Sequence, residues 1–206
     1  MTTKATVRER RGQPSHREDL RGELLAAAVR YVLREGHESL SMRRLAEEVG
    51  VSPGAPYHHF PDRRALLVAV ALEGYRAMFA QNSAGADADD DPRAALTSAF
   101  LNFIRFAAAN PTLFTLMYES ELVRPVLAPE LAEAQAEGYQ LMRRLIGRIA
   151  TGISDTERAV RIATIWSAIF GYALQCNRSM LRAYPAEPPP DELAPQVVQQ
   201  ALRLLA

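Results

Sequence analysis

Tyr57, His58 and His59 stand side by side, and Arg63 follows shortly after. Phenol, imidazole and guanidinium groups gathered in one short stretch can donate to phosphates and read base edges. Ser41, Arg43 and Arg44 lie a little upstream, where free N–H groups at a helix start and nearby cations suit a phosphate. His58 and His59 make a poor metal pair, because neighbouring side chains on a helix diverge. No Gly-x-Ser-x-Gly elbow, His-Glu-x-x-His pair or phosphate loop occurs. The four histidines are His16, His37, His58 and His59, all in the front third, and Cys176 is the single cysteine. That leaves neither a disulfide framework nor a Cys-based zinc site. No catalysis, metal or cofactor is expected.

The elements that must position these groups are helices, and the pattern predicts an all-α fold of about nine of them. Leu20, Leu24, Leu25, Ala28, Val32 and Leu33 recur at helical spacing and Gly36 stops that helix. Ser41 caps a second helix, Leu40 can staple onto Leu45, and Gly50 ends it. Ser52 is expected to cap a third, short helix with Pro53 at its first position, and Asp62 to cap a fourth. Two short helices joined at Gly50, with a third covering them, form the helix-turn-helix pattern, whose second helix enters the DNA major groove. In that reading Ser52, Gly54, Ala55, Tyr57, His58 and His59 face DNA, the small Gly54 and Ala55 letting the backbone come close. Arg44 either reads DNA or lies solvated.

This stretch resembles the TetR family of one-component transcriptional regulators. The likeness runs over 24–67 and rests on Ser41, Ala46, Gly50, Val51, Ser52, Gly54, Tyr57, His59, Phe60, Leu66 and Leu67. The resemblance implies that Arg63 takes a phosphate-binding Lys position, which a guanidinium fork would serve. Ala55 replaces a more usual Thr and offers a methyl to thymine. Gly-Ala-Pro-Tyr at 54–57, with a later Trp-x-x-x-His-Gly, looks like a subgroup. Here that second motif reads Trp166, then Phe170-Gly171, so Phe170 stands where the subgroup has His.

The family likeness also implies a second, helical domain that dimerises and holds a small effector. The domains expected are a basic flexible arm at 1–18, a DNA-binding unit at 19–65 and an effector and dimerisation bundle at 66–206. The polar 83–91 stretch reads as a linker and 185–190 as a proline-rich loop. A helix from Ser154 to about Ala183 is apolar nearly all round, which predicts burial on every side, between its own bundle and a partner subunit. Ile162, Ile165 and Ile169, with Val198 and Leu202 of the last helix, are the expected dimer contacts. Phe103, Phe106, Met117, Tyr118, Met142, Trp166, Phe170 and Tyr172 are the expected effector contacts, wrapping a small, mostly hydrophobic ligand.

Across 206 residues, 24 Lys+Arg balance 24 Asp+Glu. The sum conceals an asymmetry, because residues 1–64 carry 12 basic and 9 acidic side chains. The basic front suits a polyanion, although its first stretch is equally an ordinary solvated tail. No secretory signal is seen, and the most apolar stretch, 162–174, is short for a membrane span. The expected protein is a cytoplasmic homodimer that binds double-stranded DNA and a small effector, with no membrane partner. It acts most simply as a repressor released from a near-palindromic operator. The alternative is a helical small-molecule carrier or interaction module without DNA binding.

Overall fold

Helix boundaries fall where the sequence supplies caps and breakers. The computed structural model describes residues 16–83, 91–124, 128–183 and 190–205. Its α-helices are α1 (His16–Glu35), α2 (Met42–Val49), α3 (Arg63–Ser83), α4 (Pro92–Ala109), α5 (Pro111–Glu119), α6 (Pro129–Ile149), α7 (Asp155–Asn177) and α8 (Pro190–Leu202). Ser41 Oγ accepts from Arg44 N at 3.2 Å, Asp62 Oδ1 from Ala65 N at 2.7 Å, and Ser154 Oγ from Glu157 N at 3.1 Å. Each cap satisfies a donor that the first turn of a helix leaves orphaned. Gly50 ends α2 with φ 79° and ψ 32°, and its N–H returns to Ala46 O.

Eight α-helices therefore stand among the described residues, where nine helices were expected. The difference lies at 52–60. An α-helix capped at Ser52 would need Pro56 to donate to the Ser52 carbonyl, and proline has no N–H. The Ser52 carbonyl instead accepts from Ala55 N at 2.9 Å, and Gly54 O accepts from Tyr57 N at 3.2 Å. These three-residue spacings give one 3-10 turn, Ala55–His58, preceded by Gly54 rather than capped by Ser52. Helix α1 begins at His16, ahead of the expected Leu20. Residues 1–15 of the expected arm, most of the 83–91 linker and most of the 185–190 loop lie outside the described residues.

Two groups of buried side chains join into one core. Leu24, Ala28 and Val32 of α1 meet Leu45 of α2, Phe60, and Leu66, Leu67 and Val70 of α3. Behind them α3 to α8 build a bundle in which α4 packs on α6, α7 and α8. The row Ile162, Ile165 and Ile169 of α7 is buried here, as are Val198 and Leu202 of α8. These five expected dimer contacts are thus part of the protomer's own core. Within the protomer the bundle covers α7 on the isoleucine side only. Half a turn around from the isoleucine row, Val160 is 60% exposed, and Thr164, Ser167 and Ala168 are exposed with it. By length and composition alone α7 could cross a bilayer, but its isoleucine row packs inside the bundle. It also ends at Asn177, short of the expected Ala183, and a 3-10 turn at Met180–Ala183 follows.

The left-handed backbone at Gly50 sets the direction in which the chain leaves α2. Gly50→Ala should destabilise the protein by about 1–2 kcal/mol, the cost of placing a Cβ in that region. Urea unfolding followed by circular dichroism measures it, and Gly50→Asn should lose less than Gly50→Ala.

Candidate nucleic-acid interface and ligand cavity

Pro56 is buried and Phe60 is only 2% exposed, so the 3-10 turn is pinned from inside. Its remaining side chains point outward. Tyr57 is 54% exposed, His58 is exposed and His59 half-buried. Ser52 and Gly54 are exposed just before it, and Ala55 is half-buried. Exposed polar aromatics on a proline-pinned turn form a projecting surface.

Helix α2 packs beside this turn. Its N-terminal residues Ser41 and Arg43 are exposed, and Arg43 reaches only Glu47, 3.0 Å away on the same surface. Such a solvated pair is weak and leaves Arg43 able to turn toward an anion. Arg44 is held more firmly. Its Nη1 donates to Tyr31 Oη at 2.7 Å, and its guanidinium stands 5.9 Å from the Tyr31 ring centre. Tyr31 in turn contacts Ser39 Oγ at 3.0 Å. Tyr31 escaped the sequence reading because a tyrosine on the apolar stripe of α1 reads simply as core.

Arg63 makes contacts that its sequence position did not indicate. Its Nε donates to Leu40 O at 2.6 Å, and its Nη2 to His37 O at 2.6 Å and Glu38 O at 3.1 Å. The fork that was to hold a phosphate is engaged by three backbone carbonyls of the α1–α2 connection. Arg63 therefore ties the start of α3 to that connection. His37 beside it is 7% exposed. Burial, with the Arg63 charge adding to it, holds His37 below the ordinary histidine value.

A second feature opens in the bundle. A cavity of about 680 Å³ lies between α3, α4, α5, α6 and α7. Of the expected effector contacts, Phe103, Tyr118, Met142, Trp166 and Phe170 line it. Phe106, Met117 and Tyr172 do not; all three are buried in the packing around it. Met117 is taken up by the α3–α5 contact, where a Cβ added at Gly74 would stand 2.5 Å from its sulfur. Aromatic rings form one wall, with Phe103 and Trp166 4.8 Å apart and Tyr118 and Phe170 5.4 Å apart. Tyr75 and Gln135 also line the cavity and were not expected there. Gln135 Nε2 donates to Tyr75 Oη at 2.9 Å. A glutamine on an amphipathic helix carries no sign in the sequence that it faces inward.

Residues 24–70 match the family described as bacterial regulatory proteins, tetR family. Residues 96–201, about half of the chain, match the tetracyclin repressor-like C-terminal domain. The chain belongs to the TetR family. Among curated relatives, the transcriptional repressor AcnR of Corynebacterium diphtheriae is 45% identical over 53 residues, 26% of this chain and 28% of that one. The transcriptional activator FasR of Mycolicibacterium smegmatis is 27% identical over 140 residues, 68% of this chain and 64% of that one. The matched stretch spans little more than a quarter of the AcnR repressor, so AcnR speaks for the front of this TetR-family chain only. A solved structure of a protein of unknown function from Rhodococcus sp. RHA1 is 29% identical with a TM-score of 0.74, covering 93% of this chain and 98% of that one. A regulatory protein structure, SCO4313, shares the fold at 17% identity and a TM-score of 0.71, covering 91% and 97%.

Two outcomes test the structural roles assigned here. Arg63→Ala should cost about 2 kcal/mol in a urea titration, because three carbonyls are left without their charged donor. A phosphate ligand at an exposed site would leave stability unchanged on removal. The His37 shift also has a sign. Its folded value lies below the ordinary 6.5, so as pH falls the unfolded chain takes up that proton first. Stability should therefore decline as pH drops below about 6.5, and His37→Gln should flatten the decline in thermal melts run between about pH 7.5 and 5.

Proposed function

We propose that this TetR-family transcriptional regulator is a repressor that holds a near-palindromic operator as a homodimer and releases it when a small molecule fills the bundle cavity. The observation that carries the DNA reading is the outward display of Tyr57 and His58 on a turn pinned by buried Pro56 and Phe60. His58 and Tyr57 read base edges, while Arg43 and Ser41 meet phosphates. Arg44 belongs with the positioning contacts, since Tyr31 fixes its guanidinium. Residues 19–65 serve as the DNA-binding unit and 66–206 as the effector and dimerisation bundle. Such a protein works in the bacterial cytoplasm, where its operator is.

Two helices link cavity to reading surface. Helix α3 starts at the Arg63 clamp and reaches the cavity through Tyr75, Met78 and Phe79. Helix α5 lines the cavity through Tyr118, and its Thr112 Oγ1 donates to Leu33 O of α1 at 3.2 Å. Arg64 Nε donates to Leu122 O at 3.1 Å, joining the base of α3 to the segment after α5. An occupant that displaces α5 or α3 therefore bears on α1 and α2. It can shift the DNA-binding arrangement only by its differential affinity for the two states.

The partner subunit docks on the open face of α7, where Val160, Thr164, Ser167 and Ala168 let a second helix approach closely. The motifs at 54–57 and 166–171 support membership of the subgroup described above. Phe170 then replaces an ionisable wall residue with an apolar ring.

Selection of bound duplexes from a random pool, at about 50 mM salt, tests the DNA reading. A recovered near-palindrome supports it; no duplex retained at that salt sinks it and favours the carrier reading. His58→Ala should relax preference at particular base pairs by about 1–3 kcal/mol. Arg43→Ala should weaken all duplexes alike and lower the salt slope by about 1 for each phosphate it no longer neutralises. Ala168→Arg should yield monomers in sedimentation and reduce operator affinity; a dimer that persists would place the interface elsewhere.

A further inference from the structure

We infer that the bundle cavity takes an uncharged, largely apolar ligand bearing one oxygen that accepts a hydrogen bond. This rests on the reading of the cavity as the effector site, and it narrows the effector to a chemical class. None of the described residues lining the cavity carries a charge at neutral pH. A carboxylate or phosphate would lose its water there without gaining a cation, and an ammonium without gaining a carboxylate. An unpaired charge in such a wall costs far more than the apolar contact returns. The volume, about 680 Å³, lies within the range of small-molecule sites.

The polar groups are few and their donors can be counted. Tyr75 and Tyr118 both line the cavity, their rings edge to face with centres 5.6 Å apart. Tyr75 Oη already accepts from Gln135 Nε2 at 2.9 Å. The Tyr118 hydroxyl donates to Met78 Sδ, 3.9 Å away, and a thioether accepts weakly. Burial holds both phenols above their ordinary value, Tyr118 most of all, so the protons stay in place. A buried donor without a good acceptor selects a ligand oxygen, from a carbonyl, an ether or a hydroxyl. Phe103, Trp166 and Phe170 flank this pair and cover the apolar remainder.

The chain's single tryptophan, Trp166, lies on the cavity wall and reports occupancy by its emission. The full-length protein is titrated with 1-decanol, decanoate and decyltrimethylammonium, which share a chain length and differ in head charge. Decanol should bind with a dissociation constant at least about tenfold below those of the two ions. Tyr118→Phe, which keeps the ring, should weaken decanol about threefold to tenfold without changing the circular dichroism spectrum. Equal or tighter binding of either ion, no binding of decanol, or unaltered decanol affinity in Tyr118→Phe overturns the inference. Operator affinity is followed in parallel with the same probes. Decanol that binds without weakening the operator complex overturns the effector role and leaves the ligand class standing. Intact operator binding with no decanol binding does the reverse.

Discussion

The Arg63 fork is the contact on which the arrangement of the front of the molecule depends. Three carbonyls, of His37, Glu38 and Leu40, converge on one guanidinium at the first residue of α3. Without it the Glu38 and Leu40 carbonyls would lose their charged donor, and the His37 carbonyl would keep only the Leu40 N–H at 3.3 Å. With it, the first turn of the helix that reaches the cavity is fastened to the segment that launches α2. A lysine, with a single charged nitrogen, could not span the same three acceptors with the same geometry. The packing of Leu40, Leu45 and Leu66 then closes around a connection whose course is already set.

A second constraint acts through an absence. The missing N–H of Pro56 forbids the four-residue hydrogen bond that would extend an α-helix from Ser52. The chain accepts a tighter turn, and the tighter turn carries fewer side chains to the surface. Tyr57 and His58 are therefore presented together at one projection, in place of being spread along a longer groove-reading helix. Their neighbours Pro56 and Phe60 face the core, so the polar pair is braced by the same residues that shorten the element.

Much of the fold was legible in the sequence because caps and breakers act locally. Ser41, Gly50, Asp62 and Ser154 each do what their types and positions imply. The aromatic wall was largely legible too, since Phe103, Trp166 and Phe170 had to face something apolar. What escaped were properties set by the third dimension. An arginine near a helix start looks like a phosphate ligand until three carbonyls are seen around it. The isoleucine row of α7 and the open small-residue row opposite cannot be ranked by sequence, because periodicity fixes their separation and says nothing of which side meets α4. Tyr75 and Gln135 lie 60 positions apart, and only the bundle brings them together.

Helix α3 runs unbroken from the clamp to the cavity, and its 21 residues have a mechanical meaning. At a rise of 1.5 Å per residue the stretch from Arg63 to Phe79 is a rod roughly 24 Å long, so a tilt of about 5° at one end sweeps the other through about 2 Å. A displacement of that size is comparable to the span of a whole hydrogen bond. In the proposed switch, small repacking around the rings at one end would be geared up into a movement large enough to break polar register at the other. The stiffness of an ordinary helix supplies this amplification, with no hinge required.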